Sequence, residues 1–173
     1  MHRVLAGLSL FLCGTTLVQE SVYDLTQRSE AVVRGRVVQK KTVFSEDGAR
    51  LFTHVDVEVA EVWHGKAQSV VRIVQPGGVL EDFAQRVDGV AAFTVGEDVV
   101  VFLERGAPQS YRVTGMAQGK YRVVKDAKGL KVLPESLGAS TLVSKSRVQP
   151  VKPVEEQSLE ALRAQVRAVT SRP

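Results

Sequence analysis

Three side chains raise the question of chemistry first. His54, Asp56 and Glu58 occupy alternate positions of one segment, the spacing that places residues on one face of an extended strand. An imidazole and two carboxylates are the donor types of a metal site and the acid and base of a hydrolase. Alternate strand positions lie ~6.8 Å apart, so these three reach one ion only if neighbouring strands supply further ligands. His64 has the same parity, but ten positions of ideal strand separate it from His54 by ~33 Å. No HExxH-type spacing occurs. The face reads as an ordinary polar strand face, and no metal ligand set is expected.

A nucleophile is equally hard to assemble. A serine hydrolase needs a base beside its serine and donors for the oxyanion. Past the N-terminal segment only His54 and His64 offer a base, and no GxSxG turn is present. The glycines of Gln75-Pro76-Gly77-Gly78 and of residues 115–120 do not join a strand to a helix, as a phosphate-binding loop requires. They read as structural turns. The expectation is no catalytic residue and no cofactor. A hydrolase with dispersed carboxylates, Asp56 and Glu58 among them, stands as the second alternative.

The remaining chemistry is charge. Net charge is +4, with basic and acidic residues interspersed along most of the chain. Arg112, Lys120, Arg122, Lys125, Lys128 and Lys131 come closest to a stripe. Either they are solvated faces of exposed strands, or Arg112, Lys120, Arg122 and Lys131 line a groove for an oligosaccharide or anionic polymer. No aromatic stacking motif accompanies them, so no nucleic-acid partner is expected.

What elements position these residues? The chain begins with His2 and Arg3 followed by an apolar stretch, residues 4–18, in the form of a secretory signal. The stretch is shorter than the ~20 residues of a spanning helix. Residues 1–20 are therefore expected to be a signal peptide, with membrane contact only through this leader before cleavage. Cys13, the single cysteine, lies within it. Phe11 and Leu12 precede it where a lipoprotein signal places small residues. The mature chain then has no thiol, and its fold must rest on packing without disulfides.

Aromatic residues make up only 6% of the chain, so that packing falls mainly to valine, which suits a sheet. Residues 22–29 read as a short helix or turn and residues 31–42 as the first strand, with Gly35 marking a bulge or a close backbone approach. A turn at Glu46-Asp47-Gly48 leads into a strand where Leu51, Thr53, Val55, Val57, Val59 and Trp63 share one parity. Residues 69–75 form a third strand, stopped at Pro76. Residues 79–93 are irregular, with a short strand near Val90. The unbroken run Val99-Val100-Val101-Phe102-Leu103 predicts a strand covered on both faces. Residues 111–116 give a further strand, and 120–125 with 130–133 a hairpin.

The fold class expected is mainly β: a single curled, OB-like antiparallel barrel of five to seven strands over residues 21–134, with a short N-terminal helix and a C-terminal amphipathic helix. Residues 135–157 read as a proline- and serine-containing linker. Residues 158–170 read as the helix, capped by Ser158 and striped by Leu159, Leu162, Val166 and Val169. The stripe is expected to dock on the barrel.

Two resemblances attach to these segments. The succession Val32-Val33-Arg34-Gly35-Arg36-Val37, Val55-Asp56-Val57-Glu58-Val59, Gln75-Pro76-Gly77-Gly78, the 96–103 segment and Gln118-Gly119-Lys120-Tyr121-Arg122-Val123 resembles an uncharacterised family of exported bacterial β-proteins. More remotely, the first hairpin resembles netrin-like, metalloproteinase-inhibitor-type OB-folds. The second resemblance implies a five-stranded barrel and a protein-binding role. That family's N-terminal cysteine and its disulfides have no counterpart in the mature chain. The function expected is thus a secreted or periplasmic, non-catalytic module that binds another protein, such as an exported protease or envelope component.

Overall fold

The computed structural model describes residues 16–127, 129–135, 141–143 and 156–171. The leader up to residue 15 and most of the expected linker lie outside them. Among the described residues no helix is long and apolar enough to cross a membrane. A short strand β1 (Thr16–Val18) precedes helix α1 (Val22–Arg28). A capping box starts α1: Ser21 Oγ accepts from the Asp24 N–H at 3.1 Å, and the Asp24 carboxylate accepts from the Ser21 N–H.

The body follows as β2 (Ala31–Phe44), β3 (Leu51–Gly65), β4 (Val70–Pro76), a small hairpin β5 (Gly78–Leu80) and β6 (Phe83–Gln85), then β7 (Asp98–Arg105) and β8 (Tyr111–Val113). A 3₁₀ turn at Met116–Gly119 leads to β9 (Lys120–Asp126) and β10 (Gly129–Pro134). Strand β11 (Thr141–Val143) pairs with β1, and β12 (Gln157–Ser158) runs into helix α2 (Leu159–Thr170). Residues 79–93 differ from expectation: the β5–β6 hairpin forms, and Val90 lies in no strand.

The barrel closes with five strands in the order β2-β3-β4-β8-β7, and β7 returns to pair with β2. A ring with an odd number of strands cannot alternate direction all the way round. One pair must run parallel, and it is β4 with β8, where Ile73 stands opposite Tyr111. The other neighbours in the ring are antiparallel. Strands β9, β10 and β12 extend the wall outward from β7. Gly35 meets both expectations at once. The β2–β3 register shifts beside it, and a Cβ there would sit 2.2 Å from the Glu58 carbonyl oxygen.

Alternation along β7 feeds two cores. Val99, Val101 and Leu103 point into the barrel with Val33, Val55, Val57 and Ile73. Val100 and Phe102 point outward into a second core with Trp63, Tyr121, Leu162 and Val166. Trp63 is buried, but not beside the strand's valines as its parity predicts. Register shifts at Ala60 and at Trp63 itself intervene, and each extra residue turns later side chains to the other face. Helix α2 closes the second core with the expected stripe of Leu159, Leu162, Val166 and Val169. Ser158 caps it by accepting from the Ala161 N–H at 3.1 Å. An ionic ladder fastens its outer side: Arg163 to Glu61 at 2.8 Å, Glu61 to Arg34 at 3.0 Å, Arg34 to Asp98 at 2.7 Å.

Candidate functional site

An open cleft of about 890 Å³ lies between the start of β4 and the loop joining β7 to β8. Gly106, Ala107, Pro108, Gln109 and Ser110 form one wall, Val70, Val71 and Arg72 the other, with Asp56 and the Glu30–Arg105 pair at its ends. The loop holds its shape by bonding to itself. The Gly106 N–H donates to the Ser110 carbonyl, and the Ser110 N–H and hydroxyl both donate to the Ala107 carbonyl, each at 3.0 Å. Pro108 fixes its own φ, and Gln109 adopts a left-handed φ of 61°.

Two arginines flank this space, each gripped by a carboxylate. Arg72 donates through Nε and Nη2 to Asp56 at 2.7 and 2.8 Å. Arg105 donates through Nε and Nη2 to Glu30 at 3.0 and 2.7 Å. Two parallel bonds fix the plane of a guanidinium as well as its position. In each pair the cation is the outer partner. The Arg72 side chain is 52% exposed against 12% for Asp56, and that of Arg105 80% against 38% for Glu30. Hydrogen bonding from Arg72 holds the Asp56 carboxyl below the ordinary aspartate value, and the bond from Arg105 does the same for Glu30. Both guanidinium pKa values are raised by these same bonds. Such groups are locked as charges. A general acid or base needs a pKa near the working pH instead.

The three residues of the polar strand face part company here. Asp56 is buried in its pair with Arg72, His54 is half-buried, and Glu58 is exposed. Among the described residues no group of three or more His, Cys, Asp or Glu side chains is placed to hold a metal ion. The glycine segments are turns: a Cβ at Gly77 would lie 2.7 Å from the Gln85 carbonyl oxygen, and one at Gly119 2.1 Å from that of Thr114.

The expected basic groove changes most. Lys120 is 1% exposed. Its Nζ donates to Glu97 at 2.8 Å, to Glu135 at 2.7 Å and to the Ala92 carbonyl at 2.6 Å, and it lies 5.0 Å from the centroid of the Phe93 ring. Lys120 is therefore a buried structural cation and not part of an exposed ligand face. Lys120 and Arg122 share a face of β9, but the 92–97 segment and Glu135 cover Lys120 while Arg122 stays in solvent. Lys131 pairs with Glu156 at 3.0 Å and Asp126 at 3.6 Å, and Arg112 lies 3.5 Å from Glu104. Lys125 is exposed, and Lys128 lies outside the described residues. Of Arg112, Lys120, Arg122 and Lys131, the first stands on β8, away from the others on β9 and β10.

Sequence reasoning did not single out Arg72, Arg105 or Glu30. A signal for the first existed. Folding the chain back about His64 puts Asp56 opposite Arg72, each eight positions from the bend, and that is the observed register. Glu30 and Arg105 come together only when β2 pairs with β7, across a separation no local pattern carries. No family model, curated protein or solved structure matches the chain.

Proposed function

We propose that this chain is an exported, non-catalytic barrel module that binds another protein, and that the cleft between β4 and the β7–β8 loop is where it does so. The observation that carries this reading is the pair of carboxylate-gripped arginines at the cleft's edge. They are oriented in advance, present cations outward and are ill-suited to proton transfer. Preorganised polar groups around a concave surface are what recognition needs, because little side-chain entropy is then lost on binding. Export rests on the N-terminal leader pattern. An exported protease or an envelope component is the class of partner proposed. The oligosaccharide reading draws less support, since Lys120 is enclosed and Lys131 faces two carboxylates.

The test is capture from the exported fraction of the source cells with the immobilised chain. Ala107 is exposed on the cleft wall, so Ala107→Trp fills the space with little cost to the core. A partner retained by the unaltered chain should be released by Ala107→Trp and kept by Lys125→Glu on the outer sheet. Equal retention by both variants rules out the cleft, and retention of nothing rules out the binding role.

A further inference from the structure

The cleft exposes backbone as well as side chains. Strand β4 meets β8 at a single register position, Ile73 opposite Tyr111. Before it, Val70, Val71 and Arg72 pair with β3 on one side and border the cleft on the other. A bond from the Val59 N–H to the Ser69 carbonyl, 2.8 Å long, sets the phase of the β3–β4 ladder. Opposed residues of an antiparallel ladder alternate between pairs that exchange both backbone bonds and pairs that exchange none. Val59 and Ser69 continue the register in which Glu58 faces Val70. Val71 and Ile73 are then the bonded positions. Val70 turns its N–H and C=O the other way, into the cleft, and Arg72 its N–H, while the Arg72 C=O accepts from Tyr111 in the parallel bridge.

The chain's own continuation does not fill that edge. Residues 108–110 precede Tyr111 and would lie beside residues 70–72 if β8 began earlier. Pro108 lacks an N–H, however, Gln109 is left-handed, and Ser110 bonds back to Gly106 and Ala107, so none of the three pairs with β4. The result is a gap at a strand edge, and an edge with unsatisfied amides is a template for another strand.

We infer that the cleft takes an extended segment of the partner protein as an added strand on β4, with an acidic side chain of that segment set between Arg72 and Arg105. The charge follows from the exposures: both guanidinium groups stand outside their carboxylates and keep Nη1 clear of them. The alternation follows from the strand. Val70 and Arg72 present exposed side chains on the outer face, so every second residue of an added strand lies beside them. Val71, between them, points into the barrel core.

This inference rests on the cleft reading above, and the two fail separately. Short random peptides displayed on phage are panned against the full chain, with Ala107→Trp as the counter-selection. The expected winners alternate β-prone residues and carry Asp or Glu at one alternating position. In the best synthetic peptide, methylating backbone nitrogens one at a time should weaken binding about tenfold at alternate positions and little between them. Amide hydrogen exchange should slow at Val70 and Arg72 when the peptide is added, and change little at Val71. Val70→Pro deletes only an N–H that faces the cleft, and should also weaken binding about tenfold. The methylation series uses the unaltered protein, so the test survives if that variant folds poorly. Winners with helical spacing or basic composition, no winners, or binding indifferent to methylation would each overturn the added strand. A captured partner sensitive to Ala107→Trp would still stand in those cases.

Discussion

Lys120 and Arg72 are both cations held by carboxylates, and they show how far burial decides a charge's use. Lys120 is 1% exposed, and its Nζ hydrogens go to two glutamates and a carbonyl. Arg72 keeps half of its side chain in water while Asp56 grips one edge of it. The first is spent on joining the 92–97 segment to the end of β10. The second is oriented and still available. A basic residue is thus available to a ligand where its partner sits behind it, and structural where partners surround it.

The largest effect should come from breaking the enclosed site. Lys120→Met leaves Glu97 and Glu135 facing each other without their cation, and should cost about 3–5 kcal/mol in chemical unfolding. Adding Glu97→Gln and Glu135→Gln should restore a good part of that, since removing a whole buried ionic group costs far less than removing one member. No recovery would mean that the cage matters for shape more than for charge.

At the cleft the ranking between stability and binding should invert. Arg72→Ala should lower stability only slightly, because a solvent-exposed ion pair contributes little, while partner retention falls about tenfold. A stability loss as large as that of Lys120→Met would erase the distinction between the two sites.

Acid sharpens the same contrast. Because Arg72 holds the folded-state pKa of Asp56 below its unfolded value, the pair stabilises the fold above the ordinary aspartate range. That contribution disappears as pH falls from about 3.9 towards the lowered folded value. The melting temperature of the unaltered chain should therefore exceed that of Asp56→Asn at neutral pH, with the gap narrowing near pH 3. A gap independent of pH would show that Asp56 contributes through packing.

The smallest effects belong to the outer sheet. Arg122→Gln and Lys131→Gln should each leave the melting temperature almost unchanged and leave partner retention intact. Loss of a salt-dependent polymer affinity on these two changes would instead revive the groove reading.

Strand positions and the burial of β7 on both faces were legible because valine alternation and an unbroken apolar run leave few other solutions. Helix α2 was legible from its stripe and from Ser158. The cleft was not. It arises where β8 stays short and the 106–110 loop folds onto itself, and a loop of Gly, Ala, Pro, Gln and Ser looks in sequence like any connector. The burial of Lys120 escaped for a related reason. A period-two pattern places Lys120 and Arg122 on one face, but what covers part of that face is a distant segment, residues 92–97, that no local pattern announces. The displaced face of Trp63 shows a third limit, since bulges reset parity without leaving a mark on composition.

One consequence of β7 concerns cooperativity. Its side chains alternate between the barrel interior and the layer under α2, so neither compartment can melt without stripping the other from a common wall. Helix and barrel should therefore behave as one thermodynamic unit. The indole emission of Trp63, reporting from beneath the helix, should follow the same denaturation curve as the backbone ellipticity of the strands.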